Sequence, residues 1–151
     1  MQANDELAIR ELAARYSDAV NRGASVDMTH TYANGGVLDA FGAAPIVGHE
    51  QLLATFAKVV ADHEWVFQMT HSGIVVVDGD RAKCRWWVSE NALRKDGGGT
   101  VFLGSYEDDV VRTATGWRYS RRQLNAVYLG RTAFPGKTFS RSGFVELPWE
   151  R

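Results

Sequence analysis

The chain has one cysteine, Cys84, and three prolines in 151 residues. A lone thiol cannot form an internal disulfide, so the core must hold the fold, and a reducing, cytoplasmic setting is expected. Excess charge is also missing: 17 Lys and Arg stand against 18 Asp and Glu, a net charge of -1. That balance leaves no basic footprint for nucleic acid or an anionic membrane, and the Arg121-Arg122 pair is too small to make one. No apolar run approaches the ~18 residues of a membrane span. The acidic opening Met1-Gln2-Ala3-Asn4-Asp5-Glu6 is not patterned as a secretory leader.

Several catalytic signatures are missing too. Gly97-Gly98-Gly99 is not followed by Lys-Ser/Thr, and no Gly-x-Gly-x-x-Gly opens a helix. Ser72 lacks the preceding Gly of a nucleophile elbow. His30, His49, His63 and His71 do not fall at metal-ligand spacings with cysteines or acids. Neither a cofactor nor a metal is therefore expected.

What is present is ample core material: 45% hydrophobic residues, with five Trp, seven Phe and five Tyr. This suffices for a single domain over 1–151, with its core at about 5–130 and an irregular tail at 131–151. Ile9, Leu12, Ala13, Tyr16 and Val20 recur at helical spacing and predict a helix over Glu6 to Arg22. Asn4 or Asp5 can cap its start and Gly23 can end it. A short helical turn is expected over Val26 to Tyr32, broken by Gly35-Gly36, then a short strand at Val37 to Phe41. Gly48 to Asp62 reads as a second long helix burying Leu52, Leu53, Phe56, Val59 and Val60. Four long strands follow, at Trp65–Val77, Ala82–Leu93, Val101–Arg112 and Trp117–Leu129, separated by Gly-containing hairpin signals. Short connections make them antiparallel. Helices followed by a meander define an α+β class. Long strands curl, and a strongly curved antiparallel (mixed) sheet closed by N-terminal helices makes a cone-shaped roll with a hollow end for a small hydrophobic molecule.

His71 is the polar residue with the most chemical range. Simple alternation places it with Trp65, Phe67, Met69 and Val75 on an apolar, concave face, where an imidazole can exchange a proton near neutrality. A core histidine with one satisfying hydrogen bond is the plainer alternative. Tyr16, on the apolar face of the first helix, can donate its hydroxyl to a substrate oxygen or simply pack. Asn21, alone, reads as a helix-end polar group. Arg122 can grip an anion or form a surface ion pair. Trp87 on one face of the meander, and Trp117 with Tyr119 on another, mark exposed aromatic surface of the kind that forms interfaces.

The segments Ile9-Arg10-Glu11-Leu12-Ala13-Ala14-Arg15-Tyr16, Thr70 to Ala82, Gly104-Ser105-Tyr106-Glu107-Asp108 and Gly116 to Arg122 occur in an order that resembles SnoaL-like proteins over residues 5–130. These belong to the nuclear-transport-factor-2-like superfamily. The chain looks most similar to its branch with scytalone dehydratase, bile-acid dehydratase and hexachlorocyclohexane dehydrochlorinase. The resemblance implies an α+β cone and proton removal by a His–Asp pair. It puts the strand His on His71, the helix Asp on Asn21, a polar helix residue on Tyr16 and an anion-gripping Arg on Arg122. At Asn21 the chain departs from the pattern, because an amide orients a ring without carrying charge.

The resulting expectation is a cofactor-independent lyase (dehydratase) or isomerase acting on a hydrophobic ring compound. His71 would be the base, Asn21 its orienter, Tyr16 a donor to the substrate oxygen and Arg122 the anion stabiliser. The alternatives are a non-catalytic small-ligand-binding protein of the same fold, and a small subunit of a ring-hydroxylating dioxygenase-like complex. A homo-oligomer, dimer or trimer, is expected, with no nucleic-acid or membrane partner.

Overall fold

The computed structural model describes residues 2–149. Helix α1 spans Gln2–Arg22, α2 Ser25–His30 and α3 Gly48–Asp62. The strands are β1 Tyr32–Ala40, β2 Ile46–Val47, β3 His63–Asp78, β4 Arg81–Arg94, β5 Gly99–Thr113 and β6 Gly116–Thr132. They form one mixed, open sheet of six strands in the order β2-β1-β6-β5-β4-β3. The hairpins β3–β4, β4–β5 and β5–β6 are antiparallel, while β1 lies parallel to β6. No described helix is long and apolar enough to cross a membrane.

The helical stripe of α1 packs Ile9, Leu12, Ala13, Tyr16, Ala19 and Val20 into the core against the concave face of the sheet. Gly23 ends the helix in the left-handed region, φ 69°, with its N–H returning to Val20 O. The expected cap at Asp5 does not form. Its carboxylate instead bonds Arg112 and the indole of Trp117, tying α1 to β5 and β6. Helix α3 buries Leu52 and Phe56, with Val60 partly covered, whereas Leu53 and Val59 remain exposed.

Two expectations about strands are corrected. Gly35-Gly36 lies inside β1, not before it. A Cβ on Gly36 would meet Tyr119 O and Ala33 O at 2.9 Å, so only glycine lets β1 approach β6 there. The ladder slips at this point, between Tyr32 and Val37. Trp117 and Tyr119 are core residues rather than surface ones, 4% and 0% exposed. The outer sheet face instead carries Phe67, Met69, Trp87 and Leu103.

The third irregularity decides the placement of His71. In β3 the ladder pairs Thr70 with Val88 and Gly73 with Trp86, so His71 and Ser72 together oppose the single residue Trp87. Such a bulge inverts the alternation. Before it, Val66 and Gln68 point inward; after it, Val75 and Val77 do. Gly73 is required just beyond the bulge, because a Cβ there would lie 2.1 Å from Trp86 Cε3.

After β6 the chain runs back without regular structure. Phe134 stacks edge-on against Trp65 at 4.8 Å, Arg15 donates to the carbonyls of Leu147 and Pro148, and Trp149 covers the Arg118 guanidinium at 4.5 Å. The tail therefore lies along β3 and α1.

Candidate active site

Between α1, α3 and the concave sheet face lies a cavity of about 220 Å³. Its walls are mostly apolar, from Val20, Leu38, Phe56, Val66 and Leu124, and its polar groups come from Tyr16, Thr55, His63, Gln68, Glu90, Tyr106 and Arg141. A shallower recess of about 430 Å³ runs under the tail and shares Val66 and Arg141 with it.

Glu90 is the only carboxylate among the lining residues. It arises from the period of β4, whose inward positions are Ala82, Cys84, Trp86, Val88, Glu90 and Ala92. Gln68 faces it across the β3–β4 ladder and donates from Nε2 to Glu90 Oε2 at 2.8 Å and to Tyr106 Oη at 3.2 Å. Burial raises the Glu90 carboxyl above the ordinary carboxylate range, against the opposing Gln68 bond and the His63 charge. An inward carboxyl of this kind can exchange a proton with a bound molecule. Burial likewise raises the phenols of Tyr16 and Tyr106, so both remain donors at neutral pH.

Asn21 holds the wall in place. Its Nδ2 donates to Gln68 O at 2.9 Å, and its Oδ1 accepts from Gln68 N at 2.6 Å. Both backbone groups of Gln68 thus point away from β4, which makes Gln68–Glu90 the closer, non-hydrogen-bonded kind of antiparallel pair. That geometry brings the two side chains together. Ser17 Oγ adds a bond to Thr70 at 2.6 Å and to Gln68 Oε1 at 3.4 Å.

Of the four residues singled out in the sequence, Tyr16 and Arg122 are brought together. Arg122 is fully buried, with its guanidinium 4.5 Å from the Tyr16 ring and 3.9 Å from those of Tyr106 and Tyr119. It forks onto Asp108 at 2.8 and 2.6 Å and donates to Tyr119 Oη at 2.8 Å. Burial disfavours its charge, but the Asp108 carboxylate outweighs this and holds the guanidinium protonated, above its ordinary range. Arg122 is therefore neither a surface ion pair nor a lining residue of the cavity; it supports the phenols from behind. Asn21 reaches the Gln68 backbone rather than a histidine.

The expected inward placement of His71 is corrected. It is exposed on the outer face, with Nε2 2.7 Å from Ser89 Oγ, because the bulge at His71-Ser72 breaks the alternation used to place it. The inward position of β3 that meets Asn21 and Glu90 belongs to Gln68.

Glu90 and Gln68, the inward polar pair on this wall, lie outside the set expected from the sequence. Their signal was a carboxylate and an amide at inward positions of otherwise apolar strand faces. Cys84 is inert, since burial pushes its thiol up to about 12. Among the described residues no group of three or more His, Cys, Asp or Glu could hold a metal ion.

The model of the SnoaL-like domain matches residues 1–123. None of the curated proteins matches in sequence. Among solved structures, a candidate aromatic ring hydroxylase from Novosphingobium aromaticivorans is 27% identical with a TM-score of 0.81, covering 86% of this chain and 94% of its own. A candidate scytalone dehydratase from the same species is 16% identical with a TM-score of 0.79, over 96% and 97% of the two chains. The type-3 hexachlorocyclohexane dehydrochlorinase of Novosphingobium barchaimii is 15% identical with a TM-score of 0.77, over 92% and 96%. The last two likenesses establish shared fold.

Proposed function

We propose that this chain, which belongs to the SnoaL-like domain family, binds a small, largely apolar ring compound and acts on it as a cofactor-independent lyase or isomerase. The observation that carries this reading is Glu90, a carboxyl raised by burial and alone of its kind on the wall of an apolar cavity. The names of the dehydratase and dehydrochlorinase structures with the same fold add to it.

In this reading Gln68 holds Glu90 Oε2, leaving Oε1 for the substrate. Glu90 takes a proton from a carbon beside a carbonyl or a leaving group. The C–H electron pair becomes the new double bond, and either the bond to the leaving group breaks with its pair departing on that group, or the carbonyl π pair moves onto the oxygen. Tyr106 and Tyr16 donate to the oxygen where charge gathers. Glu90 then returns its proton to the departing hydroxyl or to another carbon.

One observation favours a second reading, a pocket that binds without chemistry. Asn21 is committed to the Gln68 backbone and Gln68 to Glu90, so two neutral amides stand beside the one carboxyl.

Turnover and solvent-deuterium exchange of cyclic hydroxyketones, followed by NMR, test the proposal. Glu90→Gln should lower the rate by roughly 10²-fold or more, with His71→Ala within about twofold of the parent. Full activity in Glu90→Gln would sink the proposal. Ligand binding by the parent with no turnover would leave the second reading.

A further inference from the structure

We infer that the molecule this cavity takes is a small carboxylate on an otherwise apolar single ring, and that Arg141 on the C-terminal tail is the residue that selects its charge. This rests on the reading of the cavity as the ligand site.

Size comes first. A volume of about 220 Å³ falls below the ~300–1,000 Å³ of sites for drug-sized ligands. A single ring with one short substituent fits such a space, and the Val20, Phe56, Val66 and Leu124 walls suit an apolar body.

Charge comes from the tail. Arg141 is the only Lys or Arg lining the cavity, and it also lines the recess outside, so it stands where the two meet. It donates from Nη1 to Asn21 O at 3.2 Å. That carbonyl belongs to the last turn of α1, where a cation is favoured. The guanidinium lies beside Gly23, its nitrogens at ordinary contact distance, 3.6 and 3.7 Å, from where a Cβ would stand. Arg141 is thus placed by a backbone carbonyl. Among the described residues no carboxylate lies within ion-pair reach of it, unlike Arg10, Arg15, Arg22 and Arg122. Four of its five N–H donors remain for a ligand, in the planar fork that matches a carboxylate. A ligand carboxylate at Arg141 leaves the ring for the apolar walls of the cavity that Gln68, Glu90 and Tyr106 also line.

The experiment is an NMR titration of the full chain at pH 7 with benzoate and with benzamide, matched in shape and differing in charge. The parent should bind benzoate at least roughly tenfold more tightly than benzamide, with shifts centred on Val66, Gln68 and Tyr106. Arg141→Gln should bring the two to parity, and Arg141→Lys should restore part of the difference. A merely structural anchor would weaken both ligands alike in Arg141→Gln, and that result would overturn the inference. Equal binding of benzamide and benzoate in the parent would also overturn it, while leaving the cavity as the ligand site. No shifts at cavity residues with either compound would remove the site reading itself.

Discussion

Asn21 pairs with Gln68 as a strand would, donating to its carbonyl and accepting from its N–H. β3 is an edge of the sheet, and this side chain satisfies its open backbone groups at the point where the cavity wall is built.

Replacing Asn21 by Asp keeps the acceptor and loses the donor, setting a carboxylate against the Gln68 carbonyl. Asn21→Asp should cost about 1–3 kcal/mol, a fall in Tm of roughly 2–10 °C. Thermal unfolding followed by circular dichroism reads this directly. An unchanged or higher Tm would show that the bidentate contact does not hold the edge.

Arg122 and Asp108 form a pair from which water is excluded, 2% and 0% exposed at their side chains. Asp108→Asn leaves the guanidinium uncompensated and should cost about 3–5 kcal/mol. The double replacement Asp108→Leu with Arg122→Met should cost less than the single one. Urea denaturation of the three proteins checks the order, and a double variant weaker than Asp108→Asn would contradict it.

Glu90 gives stability a pH dependence of known sign. Its carboxyl is raised in the folded chain by burial, so the folded state holds the proton more tightly than the unfolded state does. Its stabilising share is complete below the unfolded value of about 4.3 and is lost as pH rises through the folded one. Glu90→Gln removes that loss. The Tm of the variant relative to the parent should therefore rise between about pH 4 and neutrality. A flat difference across that range would mean that burial does not perturb this carboxyl.

The helices and the four-strand meander were legible because their periods run long and Gly-containing turns separate them. α3 was expected at Gly48 to Asp62 and occupies those residues. β2, of two residues, is too short to carry a period. The site was harder to read. Tyr16 was found on the apolar stripe of α1, but Glu90 was passed over, although it interrupts the inward face of β4 in plain sequence. His71 was misplaced because one bulge shifts the phase of β3, and a bulge leaves no compositional mark beyond Gly73. Trp117 and Tyr119 looked like surface aromatics because local alternation does not reveal which side of β6 the helices cover. The partner of Asn21 lies 47 residues away, a separation at which no local pattern speaks.

The bulge also divides β3 into two modules that can be edited separately. Upstream of it, Val66 and Gln68 face the chamber; downstream, Val75 and Val77 face the core. Changes at Val66 or Gln68 can therefore reshape ligand preference while Val75 and Val77 keep the hairpin anchored. Deleting one residue at His71-Ser72 would leave a single residue opposite Trp87 and restore continuous alternation, with both modules keeping their faces, whereas a deletion elsewhere in β3 would turn one module inside out. The span from Thr70 to Gly73 thus behaves as a reading-frame joint, the one stretch of β3 that can lose a residue without turning either module over.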